Sequence, residues 1–271
     1  MRRATLFAGL AALLLAGIAV VVGAQETEGS REAVREPAVP SGAAREPMEP
    51  GGTSWGLDLD LTSRYLWRGL VSSHGAVAQG DVWVSAGGFT ASFWGNWDPD
   101  PFEGSGRFNE LDADLAYERP AGPVTLGVRY VHLSYPDQPG VPSTGEASLE
   151  AELDLGGGFG LGTHQIWDVE ACPGSYYGDL FLAKGLKVGG GELQAAVSVG
   201  WGSRSFHEAY YEVDYRGFTV GSATLAWEAP LGERWVVRPH AEVGVLLNPV
   251  LRKATGRRAV ASAGVCLGWT F

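Results

Sequence analysis

Residues 55–68 read WGLDLDLTSRYLWR, and their alternation decides the fold class. Trp55, Leu57, Leu59, Leu61, Tyr65 and Trp67 fall on one side of an extended chain. Asp58, Asp60, Thr62, Arg64 and Arg68 fall on the other. A helix turns every 3.6 residues and would mix the two sets, whereas a strand points successive side chains to opposite faces and separates them. The stretch is therefore a strand with one greasy face and one charged face.

The same texture continues outward from this segment. Ala147, Leu149, Ala151, Leu153 and Leu155 alternate with Glu146, Ser148, Glu150, Glu152 and Asp154; Leu193 to Trp201 and Ala259 to Phe271 repeat the pattern. The chain past residue 55 divides into twelve predicted strands: 55–68, 76–86, 88–97, 107–118, 122–134, 145–155, 158–168, 176–188, 191–202, 216–228, 233–246 and 257–271. Most match or slightly exceed the 9–11 residues that a tilted strand needs to cross hydrocarbon.

The connections sharpen the assignment. Tight links at Gly87-Gly88, Pro120–Pro123, Gly156–Gly158, Gly189-Gly190 and Pro230–Glu233 alternate with longer polar loops at 69–75, 98–106, 135–144, 169–175, 203–215 and 247–256. A membrane barrel behaves this way because one side turns tightly and the other carries loops. The expected fold is all-β: a transmembrane antiparallel up-and-down β-barrel of about twelve strands spanning 55–271. An even strand count puts both termini on the periplasmic side of an outer membrane. Trp and Tyr favour membrane interfaces, where the ring meets hydrocarbon and the polar atom meets water. The threading puts Trp55, Tyr117, Trp227, Trp235 and Trp269 in a girdle at the periplasmic end, and Tyr65, Trp67, Trp97, Trp167 and Trp201 in one at the extracellular end.

The segment before residue 55 has two parts. Arg2 and Arg3, the apolar run Leu6–Val22 and the small-residue pattern Val22-Gly23-Ala24 read as a signal peptide over 1–24, cleaved near Ala24. Residues 25–54 hold four Pro and two Arg-Glu-Pro repeats (35–37, 45–47), the composition of a disordered Pro/Glu-rich periplasmic linker. The formal charge of −11 becomes −13 once Arg2 and Arg3 leave. So acidic a chain excludes nucleic acid, whose phosphates demand basic clusters. Cys172 and Cys266 lie toward opposite ends of the expected barrel and should be free thiols.

Charged side chains on the strands should face inward, since Arg or Lys at the bilayer midplane costs about 2–4 kcal/mol. Asp58, Asp60, Arg64, Arg68, Glu110, Asp112, Asp114, Arg129, Glu150, Glu152, Asp154, Glu192 and Arg238 form the expected pore lining. Its acidic bias suits passive diffusion of small hydrophilic solutes with a preference for cations. A sealed lumen of mutually satisfied ion pairs, in a structural or adhesin-like barrel with ligand-binding loops, needs the same residue types. A third alternative is enzymatic: His132 and Ser134 share a strand face, as a base and nucleophile would in a lipid A-modifying barrel. Loop 203–215 carries Phe206, Tyr210, Tyr211 and Tyr215; these are expected to be interface anchors, with sugar binding or an inward constriction as alternatives. The histidines lack ligand spacing and no phosphate-loop or nucleophile-elbow motif occurs, so no metal, cofactor or catalytic set is expected.

Thr62 to Leu70, ending in aromatic-x-Arg-Gly, resembles the opening strand of the TorF family of porins. Gln79-Gly80, the aromatic-rich Phe89–Trp97, Tyr135-Pro136 and Glu146 are similar to later parts of that family. The resemblance implies a porin-type barrel and no particular substrate. The terminal Phe271, closing an alternating strand, is similar to the end that the barrel-assembly machinery reads on outer-membrane proteins.

Overall fold

The computed structural model describes residues 52–271. The expected signal segment, 1–24, and nearly all of the expected linker lie outside the described residues. The chain runs β1 (Thr53–Thr62), β2 (Leu66–Trp67), β3 (Leu70–Val71), β4 (Val77–Ala86), β5 (Phe89–Trp97), β6 (Phe108–Ala121), β7 (Val124–Ser134), β8 (Thr144–Gly156), β9 (Phe159–Asp168), β10 (Tyr176–Val188), β11 (Gly191–Gly202), α1 (Arg204–Tyr211), β12 (Gly217–Pro230), β13 (Trp235–Leu246), α2 (Pro249–Thr255) and β14 (Ala259–Thr270). Twelve of these strands, all but β2 and β3, close an antiparallel barrel in sequence order. β14 seals against β1 with Leu57 opposite Trp269 and Leu61 opposite Val265. Thr53 pairs with Ala86, so the wall takes in the last two residues of the expected linker.

Alternation sorts the wall as expected. Leu59, Leu61, Phe93, Leu149 and Val197 are exposed on the outside, Leu61 to 69%. Inward neighbours such as Asp58, Asp60, Ser148 and Glu150 are polar and better covered. A continuous belt of this kind would be an aggregation surface in water, whereas hydrocarbon accepts it. Two-residue links make four of the five connections at one end, and residues 231–234 make the fifth. Gly87-Gly88 and Gly189-Gly190 both have positive φ at their two central positions, the twist that a tight hairpin requires and that glycine adopts without strain.

The other end differs from the sequence reading in three places. β1 stops at Thr62 instead of running to 68. After Ser63 donates its N–H to the Ala263 carbonyl, the chain leaves the wall and forms the β2–β3 hairpin. The turn of that hairpin is Arg68-Gly69, with φ of 44° and 91°. The two further departures are α1 and α2, which occupy stretches expected to be irregular loops.

Candidate functional site

The β2–β3 hairpin folds into the mouth of the barrel and meets α1 there. Ser203 caps α1 by accepting the Phe206 N–H at 3.1 Å, which satisfies one donor that a helix start leaves free. One face of the helix, formed by Phe206, His207, Tyr210 and Tyr211, points inward and is buried. Trp67 lies between Phe206 and Tyr210, with ring centroids 5.9 and 4.9 Å away. Leu246 at the end of β13 and Leu251 of α2 are fully buried in the same cluster. Gly202 and Gly200 of β11 make this packing possible, because a Cβ on either would strike Phe206 or Tyr177.

Polar contacts tie this cap to the wall. The Arg68 guanidinium donates to both Glu146 oxygens of β8, at 2.8 and 2.7 Å. It also lies over the rings of Trp67 and Tyr177, at 4.5 and 4.7 Å. The Tyr65 hydroxyl donates to Glu110 at 2.9 Å, and the Tyr211 hydroxyl donates to the Arg68 carbonyl at 2.7 Å. A paired charge, two aromatic faces and a satisfied carbonyl fix the hairpin tip, and such bidentate pairs hold geometry as well as energy. His207 is buried between the Tyr215 carbonyl at 3.1 Å and the Thr219 hydroxyl at 2.9 Å. Its Nδ1 therefore carries the proton, and burial holds its pKa below the ordinary histidine value.

Beneath the cap lies a cavity of about 220 Å³. Seven carboxylates line it: Asp81, Asp112, Asp114, Glu146, Glu150, Asp179 and Glu242. They face two arginines, Arg68 and Arg129, and one histidine, His164. Arg129 pairs with Asp114, Arg68 with Glu146, and His164 with Asp179. Toward the tight-turn end, Arg238 lies 2.7 Å from Glu228 and 3.8 Å from Asp58. His240 lies 2.9 Å from Asp60, and the Trp83 indole donates to Asp58 at 3.0 Å. Glu152 and Glu192 make no ion pair among the described residues.

Of the expected lining, Asp58, Asp60, Glu110, Asp112, Asp114, Arg129, Glu150, Glu152, Asp154, Glu192 and Arg238 occupy the inward register. Arg68 reaches the lumen from the cap instead of from β1. Arg64 sits where the chain leaves the wall, its carbonyl accepting from the Ser262 hydroxyl at 2.8 Å. Asp81, Asp179, Glu228 and Glu242 were missed, although Arg238, His240 and Glu242 alternate legibly in β13.

The aromatic residues divide in the same way. Trp55, Tyr117, Trp227, Trp235 and Trp269 share the outward face near the tight turns; Trp97, Trp167 and Trp201 share it near the loops. Trp67 is a correction: it is buried inside the mouth and belongs to no girdle, and Tyr65 is buried beside it. The aromatics of 203–215 are a second correction, because Phe206, Tyr210 and Tyr211 form the cap instead of anchoring to an interface. His132 and Ser134 share the lipid-facing register near the loop rim. Glu170 lies 3.6 Å from the His132 Nδ1, but the Ser134 hydroxyl donates to the Leu111 carbonyl at 2.7 Å. No hydrogen bond joins this His to this Ser among the described residues. Cys172 and Cys266 are both free thiols.

An apolar belt, closed pairing and a charged interior define a twelve-stranded transmembrane β-barrel. No family model matches the chain, and no curated protein is similar to it in sequence. Solved structures share its fold. A KdgM porin in complex with disordered oligogalacturonate is 9% identical, covering 80% of this chain and 99% of its own at a TM-score of 0.50. A NanC porin is 11% identical, covering 79% and 98% at 0.52. The COG4313 outer membrane channel from Pseudomonas putida F1 is 14% identical, covering 84% and 98% at 0.50. At such identities the likeness speaks to the barrel architecture alone.

Proposed function

We propose that this protein is an outer-membrane channel for small hydrophilic solutes, with a preference for cations, and that its cap must shift before solute passes. The observation that carries this reading is the excess of carboxylates over arginines along the lumen. A wall of one sign in a low-dielectric shell raises the local concentration of counter-ions. The fold shared with porins and channels is in keeping with it. The same reading has the signal removed near Ala24, residues 25–52 of the expected linker and both termini in the periplasm, and Phe271 offered to the barrel-assembly machinery. Kinship with the TorF family, as a proposal, rests on 62–70, the stretch that builds the cap hairpin, together with Gln79-Gly80, Phe89–Trp97, Tyr135-Pro136 and Glu146.

The test is planar-bilayer recording of refolded protein across a potassium chloride gradient. The expected result is a reversal potential of cation-selective sign, with larger currents when the cap is weakened by Trp67→Ala. Currents at background in both proteins would reject the channel.

The buried aromatic cap favours a second reading: a permanently closed structural or adhesin-like barrel whose loops bind a ligand outside the cell. Deleting residues 98–106 or 135–143 should then abolish host attachment; an unchanged phenotype removes this reading. The enzymatic alternative at His132 is weakened by the Ser134 hydroxyl being committed to a carbonyl. Unchanged lipid A in overexpressing cells would close it.

A further inference from the structure

We infer that the chamber beneath the cap is a binding subsite for a small organic cation, an ammonium or guanidinium group seated on Asp112 beside Trp94. The inference rests on the channel reading for the route of entry, while binding itself is measured independently of conduction.

Asp112 is a carboxylate of this chamber that no side chain or backbone group of the described residues meets with a hydrogen bond. The residue is 3% exposed, and neither of its side-chain oxygens has a hydrogen-bond partner in the protein. A buried carboxylate in that condition carries a large desolvation cost unless a positive group meets it. The nearby cations are already engaged. Arg129 donates to Asp114, Arg68 holds Glu146 through both oxygens, and His164 faces Asp179. Arg129 acts on Asp112 only through space, so a cation seated directly on this carboxylate, in place of a proton, would have to come from the cavity that Asp112 lines.

The register says what kind of charge fits. Trp94 of β5 lies directly across from Asp112 of β6, and Asp81 of β4 lies directly across from Trp94. Carboxylate, indole and carboxylate thus stand side by side on three adjacent strands, all facing the cavity. An aromatic face attracts a weakly hydrated organic cation, and the carboxylates supply its hydrogen-bond acceptors. A metal ion would demand several oxygen ligands converging on one point. Among the described residues no group of three metal-ligating side chains converges in that way. The volume of about 220 Å³ admits a group the size of an amino acid side chain.

The experiment is isothermal titration of detergent-refolded full-length protein with butylammonium, with 1-butanol as neutral control and magnesium chloride as the metal alone. Wild type is expected to bind butylammonium and not butanol. Asp112→Asn preserves shape and removes the charge, and should weaken binding at least tenfold. Heat-modifiable migration on a denaturing gel verifies that the variant barrel has closed. Trp94→Leu, measured in parallel, should weaken binding severalfold and would report the aromatic contribution even if Asp112→Asn fails to close. Equal affinity in wild type and both variants, or no binding in wild type, overturns the subsite. Magnesium binding that depends on Asp112 and competes with butylammonium overturns the organic-cation assignment. Absent binding alongside cation-selective currents would remove the subsite and leave the channel. Asp112-dependent binding with no current would do the reverse.

Discussion

At the tight-turn end the aromatic side chains face outward: Trp55 stacks on Phe271, and Trp235 lies nearly parallel to Trp269 at 5.5 Å. At the loop end a comparable set, Trp67, Phe206, Tyr210 and Tyr211, faces inward and is covered on all sides. The lumen chemistry divides too. The tight-turn half is stitched by Arg238, His240 and their carboxylates, whereas the loop half is filled by a small hydrophobic core above an acidic chamber. The barrel wall is built by one rule throughout, so the difference comes from the connections. Two-residue turns have no side chains to spare for the lumen, while loops of ten or more residues can fold back and pack there. A wall stabilises itself through strand pairing, but a cap must find its own apolar area, and the inward aromatics supply it.

If that division is right, the cap should come apart without the barrel. Trp67→Ala should have the largest effect, removing about 3–5 kcal/mol of cap packing. Limited proteolysis should then cut within 63–76, while migration on a denaturing gel still reports a closed barrel. Co-operative loss of both would erase the distinction between the two regions. Glu146→Gln comes next, at about 2 kcal/mol, since it strips the charge from a buried bidentate pair while Trp67 and Tyr177 still hold Arg68. Faster cleavage of the same segment is the readout, and Arg68→Met combined with Glu146→Leu should recover part of the loss, because no unpaired charge remains.

His207 offers a pH-dependent version of the same comparison. Its folded-state pKa lies below the unfolded value of 6.5, so the cap's full stability is present above that pH. Stability should fall as the pH drops through the lower folded value, where the buried ring must take a second proton. Protease sensitivity of 63–76 should rise on acidification in wild type and stay flat in His207→Gln; parallel curves would sink the assignment. The smallest effect belongs to the other end. Trp235→Ala loses one stacked pair, about 0.5–1.5 kcal/mol in urea unfolding from vesicles, with no change in cap proteolysis.

Period-two alternation makes most of the wall legible in the sequence. Each strand buries one kind of residue and exposes the other, and lipid outside with charge inside leaves a strong signal. The same regularity hid the cap. Tyr65 and Trp67 continue the alternation of β1 past Thr62, because β2 is itself extended, so periodicity cannot report that the chain has left the wall. Arg68-Gly69 was the available marker, since a turn with positive φ at two positions favours Gly at the second, but Arg at the first disguised it. The helices left clearer traces. Phe206, His207, Tyr210 and Tyr211 repeat at helical spacing behind Ser203, and Asn248-Pro249 is a cap followed by a first-turn proline. Asp112 was legible as an inward charge. Its lack of a partner was not, because pairing depends on neighbours set by β-sheet register.

The take-off point of the hairpin bears on the order of assembly. Ser63 and Arg64 are held by Ser262 and Ala263, and Thr62 shares a 2.7 Å hydrogen bond with Ser262, 200 residues away along the chain. Those partners sit on the last strand, so the hinge exists only once the final seam has been sewn. The stopper therefore cannot take its final seat before the cylinder has closed on itself, which ties the position of the cap to the last seam of the wall.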